Sequence, residues 1–359
     1  MGTGSLQSQI VDSERWRDGY AAPPWGIDLL LTDACNLRCS YCPIWGDEAS
    51  VPSPASFMDT GAALRFVATV AEFRPMIRLF GGEPFLHPEW RTVVESARDR
   101  GLHCTAVSNG VRLAREAEDV VRSGLLAVGI SLDTDGPVND LLRGRDTLAT
   151  VRRGLRAVAE AKRRLGSPTP RIEIYTTVHE GTYEHLVDWA RELAAWQIDK
   201  LRLQHLIWFS SAQRDDSMEM LRGALTDPGF FRAEDVSYTR DEVPAIDVAV
   251  LAEQLRTIRG ESYPFVIESH PDLPVDEMVR YYGEAEFERH GRPSCTTMES
   301  YAFVDPRGRL YPCLTLDMGN VFAAPFLEVW NGERFRAFRR VVRREKRLPL
   351  CHRCPDGCS

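Results

Sequence analysis

Between residues 27 and 205 short apolar runs alternate with stretches of helical periodicity, and this alternation constrains the fold more than any other feature. Residues 27–32, 76–80, 104–108, 127–132, 171–178 and 200–205 are short and rich in Ile, Leu and Val, the pattern of strands in a buried sheet. Between them Ala63, Phe66, Val67 and Val70, the stretches 90–100 and 115–123, then Leu148, Val151, Leu155 and Val158, and finally Leu186, Ala190 and Leu193 follow the period of a helix. Strands separated by helices imply βαβ crossovers and a parallel sheet. Right-handed crossovers curl such a sheet. The expected fold is therefore α/β, a partial (β/α)6 TIM-like barrel over residues 26–206, with its site at the C-terminal ends of the strands.

Around this barrel the chain divides into an N-terminal extension (1–25), a connecting segment (207–290) whose loops are placed to cover the site, and a cysteine-rich extension (291–359). The connecting segment shows two helical stretches, near 247–258 and 275–282. In the last part, residues 301–304, a turn holding Gly308, and residues 309–313 read as a β-hairpin, followed by helical stretches at 327–330 and 334–342. The net charge of -8 and pI of about 5.6 argue against nucleic acid as a partner, since phosphate contacts need clustered Lys and Arg. The basic run at 339–347 reads as a solvated helix face. No apolar stretch reaches the roughly 18 residues of a membrane span, and the start of the chain has no secretory h-region. The expectation is a cytoplasmic protein without a membrane partner. There thiols stay reduced, so nine cysteines call for metal sites rather than disulfides.

Cys35, Cys39 and Cys42 form Cys-x3-Cys-x2-Cys in the loop after the first strand. A closed structural zinc site takes four ligands. Three thiolates leave one position open for something else, and soft thiolates suit zinc or iron–sulfur clusters.

This loop, with Tyr41 before the third cysteine, resembles the cluster motif of the radical S-adenosylmethionine (SAM) superfamily. Three further segments resemble that family in the same order. Gly81-Gly82-Glu83-Pro84 follows the second strand, Ser108-Asn109-Gly110 the third, and Ser131-Leu132-Asp133 with Arg143-Gly144 the fourth. The resemblance covers residues 26–206. It implies a [4Fe–4S] cluster whose open iron binds SAM, reductive cleavage of SAM to a 5′-deoxyadenosyl radical, and hydrogen abstraction from a substrate carbon. It also implies an electron donor of the flavodoxin or ferredoxin kind. By the same resemblance Glu83 would hold the SAM ammonium, and Arg143 the methionine carboxylate through a guanidinium fork. Tyr41, Gly81, Gly82, Pro84, Ser108, Asn109, Ser131 and Asp133 would line the cofactor.

Cys295, Cys313, Cys351, Cys354 and Cys358 make a second group. With the hairpin between the first two, it resembles the SPASM/twitch extension that binds auxiliary [4Fe–4S] clusters. Five cysteines are fewer than a full SPASM domain carries, so one auxiliary cluster is expected. Cys358 is an alternative to Cys354 as ligand or a free thiol. A zinc ribbon explains the spacing equally well.

Candidates for substrate or radical chemistry are Cys104, Tyr175, Gln204, His205 and Cys358, with Glu173 on the face of Tyr175. Cys104 also reads as a small buried hydrophobe, and His87 as an uninvolved loop residue. The expected activity is that of a radical SAM oxidoreductase, tailoring a small metabolite such as a sugar or aminocyclitol by dehydrogenation or epimerisation. Maturation of a peptide, by crosslinking or residue oxidation, is the alternative. A non-catalytic iron–sulfur or zinc sensor is the contrasting class.

Overall fold

The structure is a computed structural model that describes residues 13–42, 57–134, 136–225, 239–289, 295–313 and 316–354. Its centre is one sheet of nine strands: β1 (Gly26–Thr32), β2 (Met76–Gly81), β3 (Cys104–Ser108), β4 (Ala127–Ser131), β5 (Arg171–Val178), β6 (Lys200–His205), β7 (Val266–His270), β8 (Tyr301–Val304) and β9 (Leu310–Tyr311). Their order is β7-β6-β5-β4-β3-β2-β1-β8-β9. The pairs from β7 to β8 are parallel, and β8–β9 is antiparallel. The six strands expected between 26 and 206 all form. Helices α1 (Ser13–Arg17), α2 (Thr60–Val70), α3 (Trp90–Asp99), α4 (Leu113–Arg122), α5 (Gly136–Arg143), α6 (Thr147–Leu165) and α7 (Leu186–Leu193) accompany them. Beyond β6 come α8 (Ser211–Arg222), α9 (Val248–Gly260), α10 (Val275–Gly283), α11 (Thr297–Ser300), α12 (Phe326–Trp330) and α13 (Glu333–Glu345).

Strand parity decides what each residue faces. Ile27, Leu29 and Leu31 of β1, Ile77 and Leu79 of β2, Ile172 and Ile174 of β5, and Leu201 and Leu203 of β6 enter one continuous core with the apolar faces of the helices. The alternate residues point to the inner face of the sheet. There Leu30, Phe80, Tyr301, Phe303 and Tyr311 form a separate aromatic cluster.

Two features depart from the sequence reading. The segment 207–290, expected to connect and cover, contributes a seventh parallel strand, β7, and a capped helix, α8. Ser210 accepts from the Gln213 N–H at 3.0 Å while Gln213 Oε1 accepts from the Ser210 N–H at 3.2 Å. The strand is hidden in sequence because Val-Ile-Glu-Ser-His mixes apolar and polar residues on each face and lies at the sheet edge, so no apolar alternation marks it. The basic run is the second departure. Arg339 is buried, donates to the carbonyls of Met298 (2.9 Å) and Gly19 (3.2 Å), and lies over the rings of Trp330 (4.2 Å) and Phe335 (4.1 Å). Arg343, one turn on, pairs with Glu299 at 2.7 Å and donates to the Tyr20 carbonyl. Arg339 and Arg343 clamp α13 to the start of the described chain, while Arg344 and Lys346 of the same run stay exposed as expected. Among the described residues no helix is long and apolar enough to cross a membrane.

Candidate active site

The ends of β1, β2 and β3 are knotted together. Thr32 Oγ1 accepts from the Ala34 N–H at 2.9 Å, and the N–H groups of Gly82 and Glu83 donate to the carbonyls of Thr32 (3.0 Å) and Ala34 (2.9 Å). This close approach needs glycine. Gly81 has φ +122°, and a Cβ on Gly82 would stand 2.0 Å from the Ala34 carbonyl oxygen. The backbone of residues 81–82 is thereby pressed against the root of the cysteine loop.

Glu83 is fully buried and held from three directions. Its Oε1 accepts from the Phe85 N–H (3.1 Å), its Oε2 from the Asn109 N–H (2.8 Å), and the Ser108 hydroxyl lies 2.9 and 3.1 Å from the two oxygens. Burial raises its carboxyl to about 7, against the opposing effect of those donors. Asn109 then reaches the cysteine loop, its Nδ2 donating to Asn36 Oδ1 at 2.8 Å and approaching Cys35 Sγ at 3.8 Å. Pro84 opens the short 3-10 turn Pro84–Leu86 beneath it. His87 has both ring nitrogens occupied, by the Met58 carbonyl and the Glu89 N–H, as expected of an uninvolved residue.

The far side of the loop rests on β4 and α5. The Ser40 N–H donates to the Leu142 carbonyl at 2.9 Å, and the Tyr41 hydroxyl donates to Asp133 Oδ2. Arg143 Nε donates to the same oxygen at 2.7 Å, with its guanidinium 5.3 Å from the Tyr41 ring, and the Thr177 N–H donates to Asp133 Oδ1 at 3.1 Å. Asp133 is fully buried with both oxygens taken by protein donors, so it is a hub behind the loop rather than an open cofactor contact. Arg143 gives its Nε to that hub, which leaves the outer edge of the guanidinium to face elsewhere. Ser131 sits half-buried at the end of β4, opposite Tyr175 in register.

Burial raises the Cys35 thiol to about 11, and Glu83, Cys39 and Cys42 add to that rise. Burial also raises Cys39, while Arg143 pulls it down. The three thiols therefore lie within electrostatic reach of one another and of the network beneath them. At the other end of the chain, burial raises the Cys351 thiol, and Cys295 and Cys313 raise it further, so these three converge as well. Cys354 follows one turn on, its N–H donating to the Cys351 carbonyl at 3.1 Å, and lies near Tyr281 of α10. Cys358 lies outside the described residues. Among the described residues no three His, Cys, Asp or Glu side chains close to the reach of a single metal ion. The fit of both groups to a cluster rests on the donor set: soft thiols, gathered and partly buried beside polar supports.

Parity separates the remaining candidates. Cys104 packs in the main core against the helices, and burial raises its thiol to about 12. It is a buried hydrophobe and does not reach the inner face. His205 shares the face of Leu201 and Leu203. Tyr282 (2.6 Å) and Ser269 (3.2 Å) hold its ring, and burial lowers its pKa to about 3. It too is removed from the inner face. Tyr175, Glu173 and Gln204 do lie on that face. The Tyr175 ring crosses Gly129, where a Cβ would stand 2.5 Å away, and its hydroxyl donates to Glu173 at 3.0 Å. Around it gather residues the sequence reading passed over: Arg202 over the Tyr175 ring at 5.1 Å, Glu268 3.4 Å from Arg202 and 3.1 Å from Lys200, and Arg78, which grips Asp28 at 2.7 and 2.6 Å. The signal was present, because Lys-x-Arg-x-Gln in β6 alternates with Leu-x-Leu-x-His.

An open parallel sheet with a three-cysteine loop at its strand ends and a second convergent cysteine group defines a class of protein with two thiol-rich centres. The comparisons place it. The radical SAM superfamily matches residues 29–194, and the SPASM iron–sulfur cluster-binding domain matches residues 295–355. Residues 29–194 are thus a radical SAM domain, and residues 295–355 a SPASM-type iron–sulfur cluster-binding domain. The chain's cofactors are a [4Fe–4S] cluster, SAM and an auxiliary cluster, which decides against the zinc ribbon. The AdoMet-dependent heme synthase of Methanosarcina barkeri is 25% identical over 332 residues, 89% of this chain and 86% of that protein. The GTP 3′,8-cyclase of Pectobacterium atrosepticum is 29% identical over 181 residues, 48% of this chain and 54% of the cyclase. The matched region thus spans about half the length of the cyclases. Among solved structures, Streptococcus suis SuiB bound to S-adenosylmethionine superposes with a TM-score of 0.60 at 14% identity, over 88% of this chain and 68% of SuiB. The protein anSMEcpe with bound AdoMet gives 0.55 at 15% identity, over 87% and 79%. These two likenesses concern the fold.

Proposed function

We propose that this chain is an oxidoreductase that tailors a small polar metabolite, by dehydrogenation or epimerisation, at the inner face of its sheet. The observation that carries this reading is the composition of that face. Tyr175, Lys200, Arg202, Gln204 and Glu268 form a half-exposed polar group on that face, and Arg78 lies over the rings of Phe80 (5.6 Å) and Tyr301 (5.5 Å) in the aromatic cluster with Phe303 and Tyr311. Paired charges with solvent access suit a compact substrate carrying hydroxyl, amine or carboxylate groups.

When bound, SAM and its cluster supply the 5′-deoxyadenosyl radical that takes a hydrogen atom from a C–H bond, and the auxiliary cluster supplies a one-electron acceptor. The chain's own residues supply position. Cys35, Cys39 and Cys42 would hold the first cluster, and Cys295, Cys313, Cys351 and Cys354 the second. Glu83 has four lone-pair sites and three protein donors, which leaves one for the SAM ammonium. The outer edge of Arg143 would face the methionine carboxylate, with Ser131 and Asn109 bordering it. Tyr175, whose hydroxyl burial pushes up to about 12, and Gln204 would orient the substrate. An external one-electron donor of the flavodoxin or ferredoxin kind would complete the cycle. A peptide substrate is the second reading, favoured by the edge strand β7, whose Val266 is 57% exposed and which offers a template for an extended chain.

The test is anaerobic iron and sulfide content. The wild type should hold about eight irons, and both the Cys35/Cys39/Cys42→Ala variant and Cys313→Ala about four. Reduction with dithionite should yield 5′-deoxyadenosine in the wild type and not in the triple variant. Wild-type iron in Cys313→Ala would defeat the auxiliary site, and with it the oxidative outcome.

A further inference from the structure

His179 is the first residue after β5, and no part of the sequence-derived site included it. It is 5% exposed. A tight turn holds it. Its N–H donates to Thr182 Oγ1 at 3.0 Å, and its carbonyl accepts from the N–H groups of Thr182 and Tyr183 at 3.0 and 3.1 Å. The Gly181 N–H donates to ring Nδ1 at 3.1 Å. With Nδ1 an acceptor, the neutral ring carries its proton on Nε2. Burial lowers the pKa, with Arg143 in the same sense and Asp133 and Glu180 opposed, so the ring stays neutral. The Nε2–H is buried and has no hydrogen-bond partner among the described residues. Buried donors are rarely left so. The ring packs on Tyr41, centroids 5.0 Å apart and planes at 38°, and Tyr41 is the residue between Ser40 and Cys42. A buried, unpaired donor therefore lies on a ring packed against the loop that carries the three cysteines.

We propose that His179 is a further cofactor contact, its Nε2–H donating to an acceptor on the group held at the three-cysteine loop. That acceptor is either an oxygen or nitrogen of SAM or a sulfide of the cluster. The contact rests on the reading that SAM and its cluster sit at this loop. A wild type that loads iron but binds no SAM defeats that reading, whereas the outcomes below concern His179 alone.

The experiment compares reconstituted wild type, His179→Phe and His179→Gln for iron content, SAM dissociation constant and midpoint potential of the SAM cluster. Phe should load iron as the wild type does. If the acceptor is on SAM, Phe weakens SAM binding about five- to tenfold at unchanged potential. If it is a sulfide, Phe moves the potential to more negative values in the absence of SAM. Gln keeps an N–H donor at similar reach and should restore the wild-type value in either case. Phe equal to wild type in both measurements overturns the proposal, and so does Gln as impaired as Phe, which would mark a packing role. Should Phe fail to load iron, replacing His179 by Nε2-methylhistidine keeps the ring, removes only the donor, and is read in the same way.

Discussion

Glu83 shows how one buried carboxylate ties two loops together. Its ordinary value is 4.5, and burial lifts it to about 7. Between those values the folded protein holds a proton that the unfolded chain has lost. The group's contribution to stability is therefore full below 4.5 and fades as the pH rises through about 7. The SAM ammonium proposed for the remaining lone pair would reverse the preference, because a cation favours the carboxylate. SAM should bind the cluster-loaded protein more tightly as the pH rises from about 6 to about 8, with release of a proton. Calorimetry in buffers of different ionisation enthalpy measures both. Glu83→Gln should weaken SAM binding about tenfold or more and flatten the pH dependence, while leaving the iron content near wild type. A steep pH dependence retained in the Gln variant would place the titrating group elsewhere.

At the scale of elements, the auxiliary cysteines owe their place to α10 and the end of β6. Arg353 lies between Cys351 and Cys354 in sequence, and its guanidinium donates to the carbonyls of Tyr281 (3.0 Å), Ala285 (3.2 Å) and Glu284. It stacks 3.5 Å from the Trp208 ring, just beyond β6, and the Tyr281 hydroxyl donates to the Leu206 carbonyl at 2.6 Å. A cation that closes the last turn of a helix and stacks on an indole fixes the cysteine pair to the barrel. Arg353→Ala should lower the iron content from about eight to about four per chain and leave the SAM cluster's spectrum unchanged. Full iron with unaltered spectra would show that the cysteine pair needs no such anchor. Lys offers one compact donor group where three carbonyls wait, so Arg353→Lys should not rescue it fully.

At the scale of the whole molecule, the cysteine-rich extension is not an appendage. β8 pairs with β1 in parallel register, Gly26 with Tyr301 through Leu29 with Val304. The Tyr301 hydroxyl donates to the fully buried Asp28 at 2.5 Å, beside the fork from Arg78. Removing residues 291–359 would expose the edge of β1, all seven residues of which are buried, and leave the Asp28 carboxylate short of a donor. A chain ending at residue 290 should aggregate or unfold without a cooperative transition, by circular dichroism and size-exclusion chromatography. A monomeric, cooperatively folding barrel would show that the hairpin merely leans on the sheet.

The sequence by itself determined the six strands from 26 to 206 and the three-cysteine loop, because strand burial, helical period and cysteine spacing are local properties. Leu29 and Leu31, or Gly81 and Gly82, can be read from their neighbours alone. Only the tertiary structure decided which face each candidate takes and what it meets there. His205 looked like chemistry at a strand's end, yet the pleat turns it to the helices, while Cys104 takes the buried place its reading as a small hydrophobe gave it. Arg202, Glu268 and His179 looked ordinary, yet the folded chain sets the first two on the inner face and the third against Tyr41. β7 and the union of β8 with β1 were hidden for the same reason: partners 60 or 270 residues away in the chain, such as Arg202 with Glu268 (66 apart) and Asp28 with Tyr301 (273 apart), leave no periodicity in either segment.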